Sequence, residues 1–158
     1  MNKTKVAILT FSHLSIGIMG FVIGIYLLPI LIAPESPTLE MVNQRSEKAS
    51  YSAVFNRDLT DSDAFHWGEG KVFIGQDSIS FIGELAPGPD YRVYLAKEFV
   101  QTEEKFNQLK PSMEMVGHVN TFENFIVSIP EGIDPNNYNT VIVWCERFGE
   151  FITSAKYQ

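Results

Sequence analysis

The first 33 residues place the strongest constraint on this chain. From Val6 to Ala33 there are 28 consecutive residues without a charged side chain. In an α-helix, which rises about 1.5 Å per residue, Val6 to Leu28 alone would extend about 34 Å. That length crosses a hydrocarbon layer about 30 Å thick. The run therefore predicts a membrane-spanning helix, and the alternative is a buried helix of a soluble protein.

The basic residues at the near end of this run predict its orientation. Lys3 and Lys5 are the only charged residues before it, and positive charge stays on the cytoplasmic side. We therefore expect residues 1–5 in the cytoplasm, residues 6–33 in the membrane and the rest outside the cytoplasm. A cleaved signal peptide is the alternative. The bulky Leu31 and the Ala33-Pro34 junction make a poor cleavage site, and the apolar run is longer than a signal core, so retention as an anchor is favoured.

Glycines within the apolar run predict a self-association face. Gly20 and Gly24 have the spacing that lets two membrane helices approach closely. A helix dimer through these two residues is the functional interpretation. Glycine is common in membrane helices without any such role, which is the alternative.

Charge and composition after Pro34 limit the partners of the rest of the chain. All 19 acidic residues but only 10 of the 12 basic ones lie there, a net charge of 10 minus 19, or −9. Such a surface argues against binding nucleic acid or anionic lipid. Two prolines and scattered charges predict a tether over residues 34–50, and residues 51–158 have the length of one domain.

Short apolar runs separated by turn residues predict strands throughout residues 51–158. In Ser78–Leu85, residues 79 and 81 face one way and residues 78 and 80 the other. The predicted strands cover residues 71–75, 78–85, 91–96, 113–119, 121–129, 140–147 and 151–155. The first two should form a hairpin, and Val141–Trp144, apolar on both faces, should be a central strand.

The fold expected from these strands is all-β. Seven or eight short strands predict an antiparallel β-sandwich or small barrel after the N-terminal transmembrane helix. Residues 98–110 are the longest charged stretch, and we interpret them as a surface excursion, with a helical turn around Phe106 and Leu109 as the alternative.

Sequence patterns of the common enzyme classes are missing from the chain. There is no Ser-His-Asp arrangement, no Gly-rich phosphate loop and no His-x-x-x-His pair. The three histidines are too few and too scattered to predict a metal site, and one of them is in the apolar run. The sequence therefore gives no residue support for a hydrolase or transferase.

Three segments resemble the DM13 family. They are Ala64-Phe-His-Trp-Gly-Glu-Gly-Lys-Val72, Gly88-Pro-Asp-Tyr-Arg-Val-Tyr-Leu95 and Tyr138-Asn-Thr-Val-Ile-Val-Trp-Cys-Glu-Arg-Phe148, followed by Phe151 and Ala155. The resemblance covers about residues 51–158. It implies an all-β extracellular module, of a kind often found near redox-associated modules, with an electron-transfer role centred on the family's cysteine. Cys145 occupies that position here.

Cys145 is the only cysteine, so it can form no disulfide within the chain. One interpretation is inert packing, since a free cysteine behaves as a small hydrophobe and this one shares its strand face with Val141 and Val143. The other is redox chemistry, which needs an electropositive or partly exposed setting. Trp144 directly precedes it, and Arg147, two residues on and therefore expected on the same strand face, could supply the positive charge. His66 could serve as a base or as a ligand to a bound cofactor. An intermolecular disulfide is a third interpretation.

Two function classes follow from these alternatives. The first is a membrane-tethered extracytoplasmic electron-transfer module that uses Cys145 directly or through a bound redox cofactor, with a redox protein as its partner. The second is a binding or adhesion module with a structural cysteine and a surface protein as its partner. In the second class, loops 86–90, 98–112 and 130–139 would carry recognition. The sequence requires no particular cofactor.

Overall fold

The computed structural model describes residues 2–158, so Met1, the first residue of the expected cytoplasmic segment, lies outside the described residues. Helix α1 covers Lys3–Ile32. The side chain of Asn2 begins it by accepting a hydrogen bond from the Thr4 N–H (3.2 Å). Its apolar side chains are almost all exposed, and it is long and apolar enough to cross a membrane. The prediction of one long apolar helix in this segment is confirmed. A helix that is apolar on every side needs an apolar surrounding.

Residues 34–50 pack on the domain that follows. Helix α2 covers Leu39–Ser46, and Thr38 caps it by accepting a hydrogen bond from the Met41 N–H. Val42 is fully buried, where α2 contacts strand β3 (Ser78–Leu85). Arg45 adds an exposed ion pair with Asp77 at 3.4 Å. The segment expected to be a tether therefore contains a helix whose apolar face is anchored.

Eight strands form two antiparallel four-stranded sheets. The first sheet has the order β1-β2-β3-β6 and the second the order β5-β4-β7-β8. The remaining strands are β1 (Tyr51–Phe55), β2 (Gly68–Ile74), β4 (Tyr91–Ala96), β5 (Glu114–Val119), β6 (Phe125–Ser128), β7 (Thr140–Cys145) and β8 (Glu150–Lys156). The expected hairpin is β2–β3, paired from Gly68 with Leu85 to Ile74 with Ile79. The all-β sandwich prediction is confirmed, and the two sheets do not close into a barrel.

The main core lies between the two sheets. Strand alternation directs Val72 and Phe81 from the first sheet against Val93, Val143 and other residues of the second. All six residues of β7 are buried, and β7 lies between β4 and β8. The prediction of a central strand covered on both faces is confirmed. Phe55 and Phe125 both pack on Phe81, with ring centroids 5.4 and 5.0 Å away.

The segment 98–110 is not the expected surface excursion, and the alternative interpretation, a helical turn around Phe106 and Leu109, is the one that the structure shows. Helix α3 covers Glu103–Leu109, and Thr102 caps it by accepting a hydrogen bond from the Lys105 N–H (3.2 Å). Phe106 is fully buried and stacks on Trp144, with ring centroids 3.8 Å apart and planes 10° apart. The outer face of β7 is apolar and must be covered, and α3 covers it. A short 3₁₀ turn, Lys110–Ser112, leads from α3 to β5.

Candidate functional site

Cys145 is the last residue of β7 and lies at one end of the sandwich. It is 2% exposed and pairs with Tyr91 of β4 and Glu150 of β8. A tight turn follows, in which the Gly149 N–H donates to the Cys145 carbonyl (2.9 Å). Gly149 has a φ of 72°, a conformation that glycine adopts without strain. The strand ends at Cys145 because this turn reverses the chain into β8.

The environment of Cys145 favours the protonated thiol. Burial raises its pKa, because a thiolate removed from water loses its solvation. Backbone N–H groups of Phe148, Asp90 and Arg147 face the sulfur and partly oppose this shift. The Asp90 carboxylate raises the pKa further through like-charge repulsion of the thiolate. The net result is a thiol whose pKa lies above its ordinary value.

Cys145 borders an apolar cavity of about 290 Å³. This volume is near the lower end of the range for ligand sites. Its walls come from α1, from two loops that precede β2 and β4, and from the ends of β7 and β8. The lining residues are Val22, Ile25, Tyr26, Pro29, Phe65, His66, Pro87, Gly88, Pro89, Tyr91, Cys145, Phe148 and Ile152. The cavity thus joins the thiol to the helix that could cross a membrane.

Tyr91 is the buried polar side chain directly opposite Cys145. Its hydroxyl donates to the Ala86 carbonyl (2.6 Å), and burial raises its pKa well above the usual range. The loop before it packs tightly on its ring. A Cβ on Gly88 would lie 2.4 Å from the Tyr91 ring, so only glycine fits this approach. The Pro-Gly-Pro segment therefore holds the phenol in place beside the thiol.

His66 lies on the wall of the same cavity. Its Nδ1 is 3.0 Å from Oδ2 of Asp63, and Oδ1 of Asp63 accepts hydrogen bonds from the backbone N–H groups of Phe65 and His66. Partial desolvation raises the pKa of Asp63, but these hydrogen bonds and the neighbouring imidazole outweigh it and lower that pKa. Because Asp63 engages Nδ1, Nε2 is the ring nitrogen left for another partner.

The structure separates the other two residues that the sequence suggested as neighbours of Cys145. Trp144 points to the opposite face of β7, into the cluster under α3. Arg147 lies in the turn after β7 with an exposed side chain, and only its backbone N–H faces the sulfur. The expectation that Arg147 shares the face of Cys145 assumed a strand that continued to residue 147. Of the three suggested neighbours, His66 alone shares the cavity with Cys145.

A polar cluster that the sequence did not suggest lies behind the thiol. Glu146 accepts hydrogen bonds from Tyr94 and Lys110, and the Lys110 ammonium is 2.7 Å from its carboxylate. Burial raises the pKa of Glu146, but Lys110 and Tyr94 outweigh this effect and lower it. Burial and the bond to Glu146 raise the pKa of Tyr94. This cluster fixes the start of the turn that follows Cys145.

Cys145 and His66 are the residues that could hold a cofactor in the cavity, through a thiolate sulfur and an imidazole nitrogen. The Asp63–His66 pair fits this role, since ligating histidines commonly donate their other nitrogen to a carboxylate. Among residues 2–158, no three histidine, cysteine or acidic side chains cluster as a metal site would need.

These features define an all-β sandwich domain with one buried thiol at the wall of an apolar cavity. The family model described as "Electron transfer DM13" matches residues 58–157, and the chain belongs to this family. The resemblance found in the three sequence segments is thereby confirmed. No curated protein and no solved structure matched the chain.

Two residues of the site were missed in the sequence. From the sequence, Tyr91 is predicted only as part of strand 91–96, and the available signal for its role is a tyrosine that directly follows Gly-Pro-Asp. The sequence signal for the Asp63–His66 pair is an Asp three residues before a His, a spacing that permits a carboxylate–imidazole hydrogen bond within a turn.

Proposed function

We propose that this chain is a membrane-anchored, extracytoplasmic electron-transfer module in which Cys145 is the redox centre, directly or through a bound cofactor. The observation that carries the proposal is the shared wall of one apolar cavity, where the only thiol of the chain meets His66 and Tyr91. Membership of a family described by electron transfer supports it.

The raised pKa of Cys145 argues against nucleophilic catalysis, and the redox proposal rests on the cavity that the thiol shares with His66 and Tyr91. A nucleophilic cysteine needs a lowered pKa, and the pKa of Cys145 is raised. An apolar surrounding excludes water, while the buried Tyr91 phenol lies directly across the strand pair. This arrangement keeps the thiol from indiscriminate oxidation and leaves the cavity as its approach.

Anchoring through α1 and an extracytoplasmic domain complete the proposal. Lys3 and Lys5 at the near end favour a cytoplasmic N-terminus. A dimer of α1 through Gly20 and Gly24 is part of the same proposal. A Cβ at either glycine would meet no atom within 4 Å, so this face of α1 is open to a second helix. Extraction of membranes with alkaline carbonate tests the anchor, and protease protection of the domain in sealed vesicles tests the orientation.

A second candidate function is a binding module in which Cys145 only packs. The observation that favours it is the burial of the thiol, which is 2% exposed and belongs to the main core with Val141 and Val143. In that case the cavity, or the loops 86–90, 98–112 and 130–139, would bind a small ligand or a surface protein without any electron transfer.

The deciding experiment uses the full chain purified from membranes in detergent. Under the redox proposal we expect either a visible absorbance band that Cys145→Ala abolishes or a reversible oxidation of the thiol detected by mass spectrometry. A Lys156→Cys, Cys145→Ala variant provides a single exposed thiol as the matched control for oxidation and alkylation. A colourless protein whose Cys145 resists both the oxidant and the alkylating reagent until the protein is denatured would favour the binding module.

A further inference from the structure

The length of the apolar run fixes how far the domain can stand from the membrane. The charge-free run Val6–Ala33 has 28 residues and would extend about 42 Å as a helix. A hydrocarbon layer of about 30 Å takes up about 20 of these residues, starting at Val6. The last eight or so, from Tyr26 onward, then reach into the headgroup layer. Tyr26 has the residue type that is enriched at that depth.

The domain packs on this same end of α1. Tyr26 meets Phe65 edge to face, with ring centroids 6.2 Å apart, and Pro29 is the one α1 residue that is buried. The cavity between α1 and the domain is also lined by Val22 and Ile25, so the contact extends from the last turn inside the hydrocarbon to the level where the helix leaves it. The domain is held beside the headgroups and does not stand above them on a free tether.

An exposed apolar surface surrounds this contact. We call Phe65, Pro87, Pro89 and Phe148 the apolar rim; all four line the cavity that α1 covers. Phe65 is 60% exposed and Phe148 is 52% exposed. The rim is continuous with the apolar surface of α1, since Phe148 and Pro89 also line a second depression together with Leu28 and Ile32. Exposed aromatic groups next to a membrane helix indicate an interaction site.

We propose that the apolar rim sits in the interfacial layer of the bilayer that α1 crosses, so that the domain docks on its own membrane and the Cys145 cavity opens to lipid. This rests on the membrane anchoring proposed above. The occupant is the lipid surface itself. The net charge of −9 (10 minus 19) after Pro34 means that apolar burial, and not attraction to anionic headgroups, holds the domain there.

The test measures the depth of single nitroxide labels on the full chain in phosphatidylcholine vesicles. Cysteines are introduced singly at Phe65, at Phe148 and at Lys156 in a Cys145→Ala background. Lys156 is exposed and pairs with Thr140, so it lies at the end of β7 opposite to Cys145. We expect labels at 65 and 148 to be several-fold less accessible to a water-soluble nickel relaxant than the label at 156, and more accessible to oxygen.

A fourth label, at Ile16 in the middle of α1, separates failure of docking from failure of anchoring. If it is shielded from nickel while positions 65 and 148 are as accessible as position 156, α1 spans the membrane and docking is overturned. If the label at Ile16 is itself accessible to nickel, the anchoring proposal fails and docking with it. Dipolar broadening between labels at Phe148 would show that a second copy covers the rim, which also overturns the lipid as occupant.

A measurement without any substitution covers the case in which Cys145→Ala fails to fold. Phosphatidylcholine with a photoactivatable group near the headgroup end of its acyl chain is cross-linked to the native chain. We expect adducts in the segments that contain Phe65 and Phe148. The loop 130–139 is the internal control, since it lies at the end of the sandwich opposite to Cys145. There the Pro135 carbonyl accepts a hydrogen bond from the Tyr157 hydroxyl. Equal labelling of this loop would contradict the proposal.

Discussion

Replacing Phe106 by alanine should cost the domain about 3–5 kcal/mol of unfolding free energy. Phe106 is fully buried, and its ring is in contact with two others. It stacks on Trp144 at a centroid distance of 3.8 Å and meets Tyr94 edge to face at 5.2 Å. Each aromatic pair adds about 0.5–1.5 kcal/mol beyond the burial of area, which places the expected loss in the upper part of the range.

The assay is urea denaturation of the full chain in detergent micelles, with unfolding monitored by tryptophan fluorescence. Trp144 reports directly on the stack, since Phe106 covers one face of its ring. Phe106→Leu keeps most of the volume and loses the stack, so we expect a smaller loss of about 1–2 kcal/mol. Gln108→Ala is the matched control on α3, because Gln108 is exposed; its effect should stay within about 0.5 kcal/mol.

One result would refute the reasoning. If Phe106→Ala and Gln108→Ala both shift the denaturation midpoint by less than the equivalent of about 1 kcal/mol with an unchanged slope, α3 does not dock on β7. Residues 98–110 would then be the surface excursion that their charge suggests, and the outer face of β7 would need another cover.

Three further perturbations test the surroundings of the thiol. Gly88→Ala places a Cβ 2.4 Å from the Tyr91 ring and should cost about 1–3 kcal/mol in thermal or urea unfolding while speeding alkylation of Cys145; an unchanged alkylation rate would contradict the packing described. The raised pKa of Cys145 means that the folded state binds the thiol proton more tightly than the unfolded state, so the free energy of unfolding should fall as pH rises above the ordinary thiol pKa of 9.0. Cys145→Ala should lose the part of this pH dependence that comes from the thiol. Lys110→Met removes the cation that holds Glu146 ionised and should cost about 1–2 kcal/mol of unfolding free energy at neutral pH. The difference in stability between this variant and the unmodified chain should shrink below pH 4.5, because the carboxylate then becomes protonated. An equal difference at all pH values would show that the Lys110 stem, and not its charge, stabilises the turn.

Seven of the eight strands could be predicted from the sequence because their signal is local; β1 (Tyr51–Phe55) is not among the predicted ranges. The alternation in Ser78–Leu85 and the Gly75–Asp77 connection specify the β2–β3 hairpin without knowledge of the rest of the chain. The run Val141–Trp144 is apolar on both faces, which required a central strand. The helix α1 is equally local, since its length and lack of charge are read directly from the sequence.

Helix α3 was only the alternative interpretation of residues 98–110, because the same kind of signal is weak there. Only seven residues long, it has two apolar residues, Phe106 and Leu109, among charged and polar neighbours, and one such pair is too little to establish a periodicity. Its position is decided by Trp144, far along the chain, whose ring would otherwise face water. The Thr102 cap followed by two glutamates was the local signal for it.

The candidate site was predicted only in part, because its walls come from loops and from α1. Cys145 and His66 were named from the sequence, and the structure places both on one cavity. The contribution of Arg147 was misjudged, because the end of β7 depends on a turn that Gly149 permits through its φ of 72°. Sequence alternation has meaning only while a strand lasts, so one or two residues at its end decide which side chains share a face.

The same burial that makes Cys145 look structural also limits which chemistry it could perform. Desolvation and the Asp90 carboxylate hold the thiol protonated, and three backbone N–H groups offset them only in part. A protonated thiol is a poor nucleophile, so attack on a substrate at neutral pH is disfavoured. Oxidation by a molecule that enters the apolar cavity would remove an electron together with the thiol proton, and His66 is the imidazole on the same cavity that could accept this proton. Whether the cavity is approached from lipid or from water therefore decides which partners Cys145 can meet.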